Sequence, residues 1–335
     1  MARRAYPNNS PRVVVIGGGT GSFTLLSGLK NYVQDLTALV NMADNGGSTG
    51  QLRDELGVLP PGDVRQCLVA LSDSPKVRDL FTYRFDEGAL KGHAFGNLFL
   101  TALERMTGNF AEAVDLASEV LNITGNVEPI TLTNVTLCAE GAGGEPVKGE
   151  STIAEAALAT KPTVWLEPQA KANPAAIAAI LHADMVVIAP GNLYGSLAPA
   201  LVIKGVQRAL RDTAATCVYV CNLVTKPGPT TGMRVHDFAG EIERLAGSGF
   251  LDYVVFNKQV PSQQLLDKYA HDGEQPVAYD EAALRQQHYR YRGADLVAGS
   301  AWGGAQASDP LAGARSLIRH DPDAVARQLM RIYFT

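Results

Sequence analysis

Apolar residues in this chain come in short, nearly unbroken runs: RVVVIG at 12–17, LTALVNM at 36–42, TVWLEP at 163–168, ADMVVIAP at 183–190, TCVYVCN at 216–222 and LDYVVFN at 251–257. Runs that are apolar on both faces and rich in Val suit strands of a parallel sheet covered on two sides. Helical patterns lie between them, and several have readable starts. Ser74 with Pro75, Asn173 with Pro174 and Asp321 with Pro322 each set a capping side chain before a proline that fits the first helical turn. Asn109 with Glu112 resembles a capping box. Strand and helix in alternation predict an α/β fold, Rossmann-like and doubly wound, around a mostly parallel sheet.

The alternation fails in one place. From 127 to 153, VEPITLTNVTLCAEGAGGEPVKGESTI reads as short strands around a Gly-rich turn with no helix between them, a small antiparallel insertion. No Pro/Ser-rich linker divides the chain. The expected organisation is therefore one α/β domain over 12–335 that carries this insertion, with residues 1–11 as a flexible extension.

Composition narrows the function classes. With 335 residues, 46% of them hydrophobic and 19% charged, the chain has material for a large core. A net charge of −5 without a long Lys/Arg stretch argues against a nucleic-acid partner. No run approaches the roughly 18 apolar residues of a membrane span, and none resembles a signal peptide's core, so a cytoplasmic location is expected. The four cysteines are too scattered for a disulfide framework. Cys217 and Cys221 fall on one face of a predicted strand, but about 13 Å apart at ~3.3 Å per residue, too far to share a metal. They read as core thiols. The histidines show no pair at helical metal spacing, and no G-x-S-x-G elbow is present, which removes zinc hydrolysis and acyl transfer.

The chemistry concentrates around GGGTGS, residues 17–22. A glycine turn between a strand and a helix presents backbone N–H groups at the positive end of the helix dipole, an anion site. The strict dinucleotide fingerprint fails because Ser22 holds its last glycine position, and a phosphate-binding Lys-Ser/Thr pair is missing. An NAD(P)-dependent oxidoreductase would also place a ribose-binding acid near the end of the second strand, where Asn41 stands. A second loop, MADNGGSTGQLRDELGVLPPGDVRQCLVALS at 42–72, is denser in Gly, Asp and Arg than a connection requires. Its Asp44, Asp63 and Arg65 either face the same crevice or satisfy backbone groups. His93 and Asn97, in GHAFGNL, stand between a ligand contact and a plain helix-start role.

Five motifs in order, VVVIGGGTGSFTLLSGLK, ADNGGSTGQLRDELGVLPPGDVRQCLVALS, GHAFGNLFL, ADMVVIAPGNLYGSLAPAL and YVCNLVTKPG, resemble the CofD-like superfamily, specifically its YvcK branch of gluconeogenesis factors. The match thins but continues through DKYAHDGEQPV and SLIRHDPDAVA. The resemblance implies a UDP-sugar ligand, UDP-N-acetylglucosamine or UDP-glucose. It implies a regulatory role in cell shape and peptidoglycan synthesis during gluconeogenic growth, with no obligatory cofactor. A protein partner in cell-wall synthesis or its regulation and a homodimer also belong to this expectation. The sister branch implies the alternative, a phospholactyl transferase with a nucleoside-diphosphate donor and magnesium on acidic residues, here Asp44 and Asp63.

On this resemblance the ligand residues are Gly18, Gly19, Thr20 and Gly21, with Gly191 and Asn192 after the MVVIAP strand. Asp44, Asn45, Asp63, Arg65 and Asn97 join them from the second loop and the GHAFGNL segment, and Tyr269 and Arg319 from late in the chain. A phenol can stack on a pyrimidine, and a guanidinium can fork onto phosphate oxygens. The chain also departs from the family pattern. Asn45 replaces a second aspartate and is a weaker magnesium ligand than a carboxylate. Asn192 and Gly195 replace serine and threonine, and Lys226 and Pro229 stand where Gln and Glu are common.

Overall fold

The structure is a computed structural model that describes residues 10–260, 263, 266, 267, 270, 273–298 and 319–335. Its strands are β1 (Val13–Gly17), β2 (Leu36–Val40), β3 (Asn126–Pro129), β4 (Thr136–Glu140), β5 (Pro146–Lys148), β6 (Val164–Glu167), β7 (Met185–Ile188), β8 (Thr216–Val220), β9 (Tyr253–Asn257) and β10 (Arg290–Ala294). Seven of them form one sheet in the order β10-β9-β8-β7-β1-β2-β3. Every pairing in it is parallel. The order runs outward from β1 in both directions, so the switch point of a Rossmann-like sheet lies between β1 and β7.

The central strands are buried along their whole length, as their unbroken apolar runs require. Helices α1 (Gly19–Leu29), α2 (Gly47–Leu56), α3 (Gly62–Leu71), α4 (Pro75–Thr82), α5 (Phe95–Thr107) and α6 (Phe110–Leu121) precede β3. They are followed by α7 (Glu150–Glu155), α8 (Pro174–His182), α9 (Ala198–Leu201), α10 (Lys204–Asp212), α11 (Val235–Ala246) and, near the end, the helix Pro322–Tyr333. Asn109, Asn173 and Asp321 cap their helices by accepting from the amides of Ala111, Ala175 and Ala324. Ser74 makes no such side-chain bond; Pro75 alone marks that start. The last helix lies so close to α1 that a Cβ on Gly28 would come within 2.1 Å of the Pro322 carbonyl oxygen.

The antiparallel piece is present with different bounds. Asn126–Pro129 joins the main sheet, parallel to β2. The small sheet has the order β5-β4-β6, and α7 occupies 150–155, where no helix was expected. TVWLEP belongs to this small sheet as β6, antiparallel to β4, and not to the parallel one. Its burial alternates, with Val164 and Leu166 inward and Glu167 exposed, the signature of a strand wet on one face. All four cysteines are free and buried. Among the described residues no helix is long and apolar enough to cross a membrane.

Candidate functional site

The chain leaves β1 at Gly17, passes Gly18 in extended conformation and enters α1 at Gly19, whose φ of +60° suits glycine. Each neighbouring glycine answers to a close approach. A Cβ on Gly18 would meet the Asp63 carboxylate at 2.2 Å, and one on Gly21 would lie 1.7 Å from the Pro190 carbonyl oxygen. Gly21 therefore lets the loop after β7 press against the start of α1, which closes the crevice at the switch point.

Asp63 sits in the first turn of α3 with its side chain buried. Its carboxylate accepts the Gly19 N–H. Of the four amides expected to face a diphosphate, that of Gly19 is thus already directed at an acid. Burial, and then the charge of Asp44, raise the Asp63 carboxyl to about 7. Asp44, in the loop after β2, accepts from the Gly46 amide at 2.9 Å and hydrogen-bonds Glu150 at the start of α7. Glu150 is raised to about 9 by burial and by the charges of Asp44 and Asp63. Three carboxyls thus crowd one corner.

Among the described residues, no group of three His, Cys, Asp or Glu side chains is placed to hold a metal. The Glu150 carboxyl also lies in hydrogen-bonding contact with Asp44. Asn45 has another task as well: its Oδ1 accepts the Ser151 amide at 3.0 Å and so holds the start of α7. Beside it, Asn41 caps the Ala43 amide through Oδ1, while its buried Nδ2 makes no protein hydrogen bond.

Arg65 and Asn97 are brought together, but with each other: Arg65 Nε donates to Asn97 Oδ1 at 2.8 Å in the interior. Asn97 Nδ2 donates to Ser48 Oγ, and Ser48 Oγ meets His93 Nδ1 at 3.0 Å. His93, expected on backbone or on ligand, instead ends this chain of polar contacts, which fastens the α2 start to the α5 start.

On the other side of the glycine turn opens a cavity of about 200 Å³, lined by Thr20, Gly21, Asn192, Asn222, Lys226 and Arg319 among others. Asn192 turns its Oδ1 onto the Gly195 amide at 3.1 Å and thereby caps a single π-helical turn, Leu193–Leu197. Such turns are rare and recur at functional sites. Tyr194 moors this one to α11 by donating to Glu241, which Arg244 also holds. Gly191 is gripped through both backbone groups: its carbonyl accepts from Asn222 Nδ2 at 2.7 Å and its N–H faces Asn222 Oδ1 at 3.4 Å. Tyr219 adds its hydroxyl to the same Oδ1 at 3.1 Å. Lys226 reaches Glu274 at 3.0 Å. His320, beside Arg319, contacts the Cys221 carbonyl through Nε2, and burial lowers it to about 4. Tyr269 lies outside the described residues.

Sequence reasoning therefore missed Glu150, Asn222 and His320. Asn222 could have been found, because a polar residue ends the TCVYVCN run at the carboxyl end of a parallel strand. A lone Glu in a Gly-rich stretch carries no such mark.

The sequence profile of the family described as 2-phospho-L-lactate transferase CofD matches residues 13–297. The chain belongs to the CofD family. Within it, this CofD-family chain is similar to the gluconeogenesis factor of Bacillus subtilis, 40% identical over 277 residues that cover 82% of this chain and 87% of that one. A gluconeogenesis factor of Halalkalibacterium halodurans is 41% identical over 276 residues, covering 82% and 85%. A crystal structure of a Bacillus halodurans protein superimposes with a TM-score of 0.88 at 36% identity, over 97% of this chain and all of that one. The fold is thus shared over nearly the whole of this chain and all of its solved relative.

Proposed function

We propose that the protein binds a UDP-sugar, UDP-N-acetylglucosamine or UDP-glucose, and acts as a regulator of cell shape and peptidoglycan synthesis in gluconeogenic growth. The observation that carries this reading is the position and lining of the cavity. It opens at the carboxyl ends of β1, β7 and β8, between the α1 start and the π-turn, with Arg319 and Lys226 on its rim. Parallel sheets bind nucleotides there, where helix N-termini and strand-end loops face one crevice. Leu223 and Phe238 supply an apolar wall for a base, and Thr20 and Thr24 supply hydroxyls. Similar proteins are named gluconeogenesis factors, which supports a place in gluconeogenic growth. A cell-wall enzyme or its regulator is the matching partner class.

The second reading, a phospho(lactyl)transferase, is favoured by the carboxyl corner, because crowded acids of raised pKa can exchange protons at neutral pH. Calorimetry with UDP-N-acetylglucosamine, with and without magnesium, followed by recovery of the ligand, separates the two. The regulator reading expects binding that is indifferent to the metal and ligand recovered intact. Release of UDP or UMP in step with protein concentration would establish turnover, and no heat at all would remove the ligand.

A further inference from the structure

The small sheet touches the ligand loops at one corner, Gly149–Ser151. That corner is firmly mounted. The Gly149 amide donates to the Leu137 carbonyl of β4 at 2.8 Å, and a φ of +92° turns the chain sharply out of β5 into α7. On one side the corner meets the loop after β2. Ser151 N–H donates to Asn45 Oδ1 at 3.0 Å, a Cβ on Gly149 would come within 2.5 Å of Asn45 Nδ2, and Asp44 hydrogen-bonds the Glu150 carboxyl. On the other side it meets the π-turn after β7. Ser196 Oγ donates to Glu150 Oε1 at 3.3 Å, and a Cβ on Gly195 would lie 3.1 Å from Glu150 Cγ.

These two loops flank β1 on opposite sides, because β2 and β7 are its two neighbours in the sheet. The π-turn lines the cavity through Asn192 and Leu193, and the loop after β2 stands on the opposite flank of the glycine turn. Asp44 acts electrostatically on Asp63, which holds the Gly19 amide; Ser196 belongs to the turn that Asn192 caps. We propose that Glu150 is a positioning residue, a tie from the small sheet that fixes the loop after β2 and the π-turn after β7 at a set separation across the glycine turn, at the edge of the ligand crevice. The inference rests on the reading of that crevice as a nucleotide-sugar site.

The chemistry of the tie follows from its partners. Ser196 donates, so Oε1 accepts. The contact with Asp44 sets the two carboxyls side by side. A glutamine at 150 keeps both contacts, accepting from Ser196 at Oε1 and donating to Asp44 from Nε2, whereas alanine keeps neither. Two discrete polar bonds to two loops also explain why the antiparallel piece is held against the main sheet at this point.

The test compares wild type, Glu150→Ala, Glu150→Gln and Ser196→Ala in two measurements. The first is amide hydrogen exchange of the ligand-free protein, read over 44–50 and 193–197 with β1 and β7 as internal controls. The second is calorimetric affinity for UDP-N-acetylglucosamine. Glu150→Ala is expected to speed exchange about tenfold in both loops while the control strands keep their rates, and to weaken binding about tenfold, the loss typical of one or two hydrogen bonds. Glu150→Gln is expected within about twofold of wild type in both. Ser196→Ala is expected to loosen 193–197 alone, and it decides the matter if Glu150→Ala does not fold. Unchanged exchange in either loop of Glu150→Ala, equal damage from Ala and Gln, or a silent Ser196→Ala overturns the tie. Failure of the wild type to bind UDP-N-acetylglucosamine overturns the ligand reading instead, and the exchange data then judge the tie by themselves.

Discussion

The two sides of the glycine turn make an instructive contrast. Toward β7 and β8 the turn opens on a cavity rimmed by Lys226 and Arg319, with amide side chains that hold backbone in place: Asn192 on Gly195, Asn222 on Gly191. Toward β2 it meets Asp63, with Asp44 and Glu150 behind. One stretch of backbone thus faces Arg319 and the Lys226–Glu274 pair on one flank and crowded acids on the other. A glycine turn at a helix start is therefore not a uniform cradle for anions. Its Gly19 amide is turned to a carboxylate, and a diphosphate has electrostatic reason to stay with Thr20, Gly21 and the cavity.

The contrast can be broken most drastically at Gly21. Gly21→Ala drives a methyl group into the Pro190 carbonyl, a backbone atom that cannot swing away. A loss of about 3 kcal/mol or more is expected in thermal or denaturant unfolding, at the upper end for overpacking. Next in size is a pH effect from the cavity side. His320 is lowered from 6.5 to about 4, so the unfolded chain takes up a proton in that range and the native one does not. Its stabilising share is complete above pH 6.5 and fades as the pH falls to about 4, amounting to about 3 kcal/mol. His320→Gln should flatten that part of the stability profile.

Arg319→Ala sharpens the contrast directly, with an expected loss of about 1.5–3 kcal/mol in UDP-N-acetylglucosamine affinity by calorimetry, the range for charge-assisted bonds. The effect on ligand affinity is smallest on the acidic side. Asp63 is raised from 3.8 to about 7, so the native chain keeps a proton that the unfolded chain releases. Its cost to stability grows as pH rises from about 4 and is complete above 7. Asp63→Asn should then gain stability at pH 8 and nothing near pH 4, with ligand affinity little changed. If Arg319→Ala left affinity intact and Asp63→Asn abolished it, the two flanks would have to exchange roles.

Much of this was written in local pattern. The apolar runs named β1, β2, β7, β8 and β9 because a strand buried on both faces can be nothing but apolar there, and Asn109, Asn173 and Asp321 announced their helices by chemistry that acts over three residues. The glycine turn was equally visible, since its conformation depends on its own residues. What the sequence could not decide was partnership. TVWLEP reads like its parallel counterparts, yet pairs with β4, and Asn126–Pro129 leaves the antiparallel segment for the main sheet. Arg65 and Asn97 looked like ligand contacts and found each other across 32 positions; Glu150 found Ser196 across 46 and Asp44 across a still longer stretch. Composition and short spacing set which segments must be buried and how each begins and ends, because those forces act locally. Which carboxyl meets which loop depends on how whole elements pack, and only the assembled sheets bring those atoms within hydrogen-bonding distance.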